Sequence, residues 1–141
     1  MGPVALAAVL LVALVGCSSS DRIAGADQPS DEEEIARALE THIEAQAEGD
    51  GKRACAQLTR KQQRVQGESL GPGSSCVAAI ERLARLVPPD GDVVEVRTVR
   101  LVSGDRAEAI AEFPRERDRV DFTKVGDAWK IDSFNELSST E

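Results

Sequence analysis

The hydrophobic period of this chain changes once, near Asp92, and that change decides which fold classes remain open. Before it, apolar residues recur at helical spacing. Ile35, Leu39 and Ile43 repeat with Ala38, His42 and Gln46 beside them, in a run opened by a Ser30/Glu33 capping box and stopped by Gly49-Asp50-Gly51. A second, short helix is expected from Lys52 to about Gln66, with Ala54, Cys55 and Leu58 inward. Gly71-Pro72-Gly73 breaks the chain. A third helix follows from Ser74, carrying Val77, Ile80, Leu83, Ala84 and Val87 on one side and ending at Pro88-Pro89.

After Asp92 the residues alternate. Val94 to Leu101 is rich in β-branched residues, Ser103-Gly104-Asp105 is a turn, and Ala107, Ala109, Ala111 and Phe113 alternate with polar neighbours. Val120-Asp121-Phe122 alternates again, Gly126-Asp127 signals a hairpin, and Trp129 and Ile131 alternate with Lys130 and Asp132. Connections this short make an antiparallel meander. The expected fold is therefore α+β: three N-terminal helices packed on one face of a curved antiparallel sheet of about four strands.

The segment Val4 to Val15 contains only Val, Ala and Leu, and it runs into Gly16 and Cys17. A core helix would mix these with polar residues and a membrane span needs about 20 apolar residues, so the pattern is that of a signal peptide. Leu14-Val15-Gly16-Cys17 resembles the lipobox of bacterial lipoprotein precursors, with small side chains for a peptidase and a thiol to take the diacylglycerol. The resemblance implies removal of residues 1–16, acylation of Cys17 with chains such as palmitate, and a protein held on the extracytoplasmic face of the cell membrane. Anchoring by two or three chains is stable, since each buried CH₂ contributes about 0.8 kcal/mol. Met1-Gly2-Pro3 lacks the Lys or Arg usual at the head of a signal peptide, which points to a start further upstream or to inefficient export. Ser18 through Pro29 is small, charged and turn-forming, so residues 17–30 read as a tether and 31–141 as one domain.

The chain has three cysteines. With Cys17 lipidated, Cys55 and Cys76 remain, and outside the reducing cytosol such a pair reads as a disulfide. Closing a loop of that size stabilises a fold by about 3 kcal/mol in the chain-entropy account. No metal site is expected, because the single histidine is His42 and no CxxC or HxxxH spacing occurs. No cofactor is implied either.

Charge is unevenly placed. Between Asp21 and Asp50 ten acids stand against Arg22 and Arg37, which accounts for the whole formal net charge of -8. A net acidic protein is a poor ligand for nucleic acid or anionic lipid. Asp31 to Glu34 fall where a helix dipole favours negative charge, so they read as a solvated helix start. The basic run Lys52, Arg53, Arg60, Lys61 and Arg64 reads as an amphipathic helix face, with an anion site or a contact with membrane phosphates as the functional alternative. It lacks the interleaved aromatics of a nucleic-acid surface.

Glu48-Gly49-Asp50, Ala54-Cys55-Ala56-Gln57-Leu58-Thr59, Cys76 opening a helix, and Gly126-Asp127-Ala128-Trp129-Lys130-Ile131-Asp132 together resemble small lipoproteins of the nuclear transport factor 2-like superfamily. The likeness covers about Asp31 to Phe134. It implies a cone-shaped fold with a cavity between helices and sheet, and it leaves the activity open. Enzymes on this fold, such as ketosteroid isomerases and polyketide cyclases, use carboxylate or histidine bases with oxyanion donors. This chain has no tyrosine to donate, and His42 lies on the edge of the first helix's apolar stripe with no partner to activate it. His42 and Trp129 are the candidate cavity-lining residues, although Trp129 reads first as core. Asp121 and Asp132 alternate away from the apolar residues of their strands, and no catalytic residue is assigned.

The sequence thus points to a lipid-anchored cell-envelope protein whose domain is a non-catalytic binding or interaction module. Its expected partners are the membrane, through the anchor, and a small apolar ligand or an envelope protein, with no nucleic acid. Two alternatives stay open. One is a small-molecule isomerase or cyclase using the cone; the other is a structural protein that self-associates through an exposed sheet face.

Overall fold

A computed structural model of the chain describes residues 28–86, 94–114 and 116–137. The expected signal peptide, Cys17 and the tether as far as Asp27 lie outside these residues, as do Val87, Pro88 and Pro89. The first helix, α1 (Asp31–Glu48), opens with the capping box: Glu33 N–H donates to Ser30 Oγ at 3.2 Å, and Ser30 N–H donates to Glu33 Oε2 at 3.0 Å. It closes at Gly49, whose φ of 74° is the left-handed conformation that a residue without Cβ adopts cheaply.

Where one short helix was expected from Lys52 to Gln66, there are two, α2 (Gly51–Ala56) and α3 (Arg60–Glu68). With α4 (Cys76–Leu86) the described residues hold four helices rather than three. The break has a tertiary cause. Gln57 to Thr59 leaves the helix and pairs with the last strand: Ile131 N–H donates to Gln57 O and Thr59 N–H donates to Ile131 O, both at 2.8 Å. An edge strand presents unpaired backbone groups, and satisfying them outweighs the local gain of one more helical turn. Thr59 then caps α3, its Oγ1 accepting from Gln62 N–H at 3.2 Å. The inward residues remain those expected, with Ala54, Cys55 and Leu58 all buried.

Burial on α4 is confined to Cys76, Ala79 and Ile80, with Val77 and Ala84 half-buried. Leu83, expected inward, is 45% exposed and Leu86 is 68% exposed. The apolar stripe of this helix outruns the core on which its first turns pack.

Four antiparallel strands follow in spatial order: β1 (Glu95–Ser103), β2 (Arg106–Glu112), β3 (Arg117–Val125) and β4 (Ala128–Glu136). The α+β architecture is thus the one expected. Ala107, Ala109 and Ala111 of β2, Val120 and Phe122 of β3, and Trp129 and Ile131 of β4 bury the inner face. The three alanines leave room for α1, which packs against β1, β2 and β4 with Ile35 and Leu39 fully buried. Each large apolar side chain so enclosed contributes about 1.5–3 kcal/mol relative to exposure.

Irregularities curve the sheet. Asp121 pairs with Ser133 while Phe122 pairs with Ile131, so Asp132 is an extra residue in β4. Such a bulge bends its strand and reverses the parity of the residues beyond it. There Phe134, opposite Val120, takes the inner face. The outer face carries cross-strand ion pairs instead: Arg97 with Glu112 at 2.7 Å and Arg100 with Glu108 at 2.5 Å.

Candidate functional site

The Cys55–Cys76 disulfide joins α2 to the first residue of α4 across a Cα–Cα distance of 6.2 Å. Gln63 of α3 secures the same corner, its Nε2 donating to Cys55 O at 2.8 Å and Leu58 O at 3.2 Å. Asp132, raised by the bulge, holds α3 from the sheet side. It accepts from Lys61 Nζ at 2.9 Å and from Thr59 Oγ1 at 3.1 Å. The Lys61 ammonium, with Thr59 assisting, keeps this carboxyl below its usual range against the opposing effect of partial burial.

His42 is 1% exposed. Its Nδ1 lies 2.9 Å from Ala54 O, and because a carbonyl only accepts, Nδ1 carries the proton. The ring packs at a tilt against Phe134, with centroids 5.6 Å apart. Burial pushes the imidazole below its ordinary pKa, and the Ala54 bond only partly offsets this. A neutral, enclosed imidazole bonded to a backbone carbonyl serves here as a polar link between α1 and α2.

Trp129 is placed differently. Its buried indole forms one wall of a groove of about 320 Å³ between α1 and β4, lined also by Glu34, Arg37, Thr41, Gln57 and Lys130. His42 is not among the residues lining that groove. At the start of α1, Asp31 Oδ1 accepts from Trp129 Nε1 and from Lys124 Nζ, each at 2.8 Å. The Lys124 bond first, then the Trp129 bond, hold the Asp31 carboxyl below its usual value. The groove offers mixed charge and hydrogen-bonding groups around an aromatic wall, which suits a small polar or amphipathic molecule. Lys130 is committed, its Nζ donating to Ala56 O at 2.6 Å.

Asp121, expected to point away from the core, accepts from Ser133 Oγ at 2.8 Å and Asn135 Nδ2 at 2.9 Å. Asp118 went unnoticed in the sequence. Cross-strand partners share a face, and Asp118 lies opposite Ala111 on one side and Glu136 on the other. Partial burial, then the Glu136 charge, raise its pKa. The alternation Asp118, Val120, Phe122 was the signal that would have placed it on the inner face.

The structure also sorts the basic run. Arg53 pairs with Glu44 and Glu48, and Lys61 with Asp132. Arg60 and Arg64 pair with no acid among the described residues. Among the same residues no three His, Cys, Asp or Glu side chains cluster as metal ligands, and no helix is long and apolar enough to cross a membrane.

No protein-family model matches the sequence, and no curated protein matches it. Among solved structures the chain is similar to an NTF-2-like protein of unknown function from Shewanella oneidensis MR-1. The two are 16% identical, the likeness covers 73% of this chain and 95% of that one, and the TM-score is 0.49.

Proposed function

We propose that this chain is a lipid-anchored cell-envelope protein whose nuclear transport factor 2-like domain binds a small ligand or a protein partner without chemistry of its own. The observation that carries the reading is the Cys55–Cys76 bond. It takes two of the three cysteines and leaves Cys17, at the end of the apolar leader, as the remaining thiol. A bridged pair belongs outside the reducing cytosol, which is where a lipobox would deliver the chain. Support for a non-catalytic role comes from the commitments of the ionisable groups. His42 is bonded to Ala54, Asp31 to Lys124 and Trp129, and Asp132 to Lys61 and Thr59.

Intact mass of the protein purified from its host's membranes, with thiol labelling under denaturing, non-reducing conditions, tests the reading. Loss of residues 1–16, added diacylglycerol and no label taken up is the expected result. An unprocessed soluble chain with labelled thiols would overturn both address and role.

The isomerase or cyclase alternative has one observation in its favour, the raised pKa of Asp118 on the inner face. Self-association through the sheet has the exposed Leu101, Val102 and Val125 in its favour, set against the Arg97–Glu112 and Arg100–Glu108 pairs on the outer face.

A further inference from the structure

A cleft of about 570 Å³ lies between α3 and the segment leading into α4, lined by Arg60, Gln63, Arg64, Ser74, Ser75 and Cys76. Its size falls within the ~300–1,000 Å³ typical of small-molecule sites. Arg60 and Arg64 stand one helical turn apart on α3. Like charges so placed repel, and neither has an ion pair or a side-chain hydrogen bond among the described residues. Arg37, Arg82, Arg85 and Arg106 are likewise without an ion pair among the described residues, but Arg60 and Arg64 are the two that share this cleft.

The walls of the cleft are tied together by contacts independent of those charges. The disulfide fixes one wall, and Gln63 ties α3 to the carbonyls of Cys55 and Leu58. Gly67 brings α3 so close to the other wall that an added Cβ would lie 2.3 Å from Ser74 O. Ser75 Oγ already caps α4, accepting from Ala78 N–H at 3.1 Å, so the positive charge of the cleft comes from the two guanidinium groups.

We propose that this cleft binds a phosphate group, as the free ion, a soluble ester or a lipid headgroup. Guanidinium groups meet phosphate oxygens through paired, charge-assisted hydrogen bonds, and a walled site holding two of them unneutralised fits a dianion or a phosphodiester better than a neutral ligand. This goes beyond the function proposed above. Only its lipid source depends on the anchor.

Arginine footprinting on the full chain, read residue by residue by mass spectrometry, tests it. In non-ionic detergent, inorganic phosphate at matched ionic strength should slow phenylglyoxal modification of Arg60 and Arg64 severalfold and leave the exposed Arg82 and Arg85 unchanged. In vesicles, protection with phosphatidylglycerol and none with phosphatidylcholine alone would identify the headgroup as the source. Protection by inorganic phosphate in detergent with no protection by either lipid would identify the soluble group, and equal protection by both lipids would identify their shared phosphodiester. Arg64→Gln should abolish the protection of Arg60. Unprotected Arg60 and Arg64 in every arm, equal protection of Arg82 and Arg85, or protection of Arg60 that survives Arg64→Gln would each overturn the site. The detergent arm needs no acylation, so a failed anchor and a failed phosphate site are read separately.

Discussion

Trp129 Nε1 donates to Asp31 Oδ1 at 2.8 Å, joining the second residue of β4 to the first residue of α1 across 98 positions of sequence. The same oxygen takes Lys124 Nζ, and that ammonium lies 5.3 Å from the indole centroid. Helix start, β3 and β4 thus converge on one carboxylate. The bond lets a buried indole satisfy its N–H while its ring closes the groove.

Replacing Trp129 with Phe should therefore destabilise the fold, because the buried site loses both the bond to Asp31 and the volume of the larger ring. Adding Asp31→Asn should cost much less in Trp129→Phe than in the parent, because the two residues share one interaction. Urea melts of the four proteins in the cycle measure this. Strictly additive losses would show that the contact carries no coupling.

Stability should fall with acid in two windows. Burial holds the His42 pKa below 6.5, so the unfolded chain takes up a proton that the native state refuses. The contribution is complete above pH 6.5 and is lost as pH falls through the folded value. Asp31 and Asp132, lowered from 3.8, and Glu112, lowered from 4.5, act further down, their contributions present above those values and lost below them. Asp118 opposes them, since its raised pKa makes protonation favour the native state. Denaturant melts across pH 3 to 8 should show both windows in the parent and only the lower one in His42→Gln. An upper window that survives the substitution would assign it elsewhere.

What was legible in the sequence is what local rules govern. The Ser30/Glu33 capping box, the Gly126-Asp127 hairpin and the alternation of Ala107, Ala109 and Ala111 each depend on residues a few positions apart, and each is where it was expected. The split between α2 and α3 was not legible, because its cause is Ile131, some 70 residues on, claiming the backbone of Gln57 and Thr59. The bulge at Asp132 was hidden for a related reason. Nothing in Ile131-Asp132-Ser133 announces that β3 will skip a partner there. In the candidate site, the Cys55–Cys76 pairing followed from counting cysteines, whereas the partner of His42 is a backbone carbonyl and carries no side-chain signature.

Reduction of the disulfide should lower stability by about 3 kcal/mol, given a closed loop of 21 positions. Cys55→Ala/Cys76→Ala should lose a similar amount and become insensitive to reductant. Thermal melts with and without a phosphine reductant make the comparison. A melting temperature unaffected by reduction in the parent would mean that α2 and α4 are held by packing alone.

Two glycines set how closely the helices approach. At Gly51 an added Cβ would lie 2.7 Å from Val77 O, and at Gly67 it would lie 2.3 Å from Ser74 O. Both neighbours are backbone atoms, which cannot rotate away as a side-chain tip can. Alanine within a helix would otherwise gain about 1 kcal/mol over glycine, but overpacking of this kind costs about 1–3 kcal/mol, so the clash decides the sign. Gly51→Ala and Gly67→Ala should therefore destabilise, with Gly67→Ala the worse because its contact is the shorter. Gly104→Ala, in the β1–β2 turn with nothing within 4 Å of the added carbon, is the control and should be nearly neutral. Urea midpoints rank the three. A Gly67→Ala protein as stable as the parent would show that α3 and α4 can move apart, and that the wall they form around Arg60 and Arg64 is compliant.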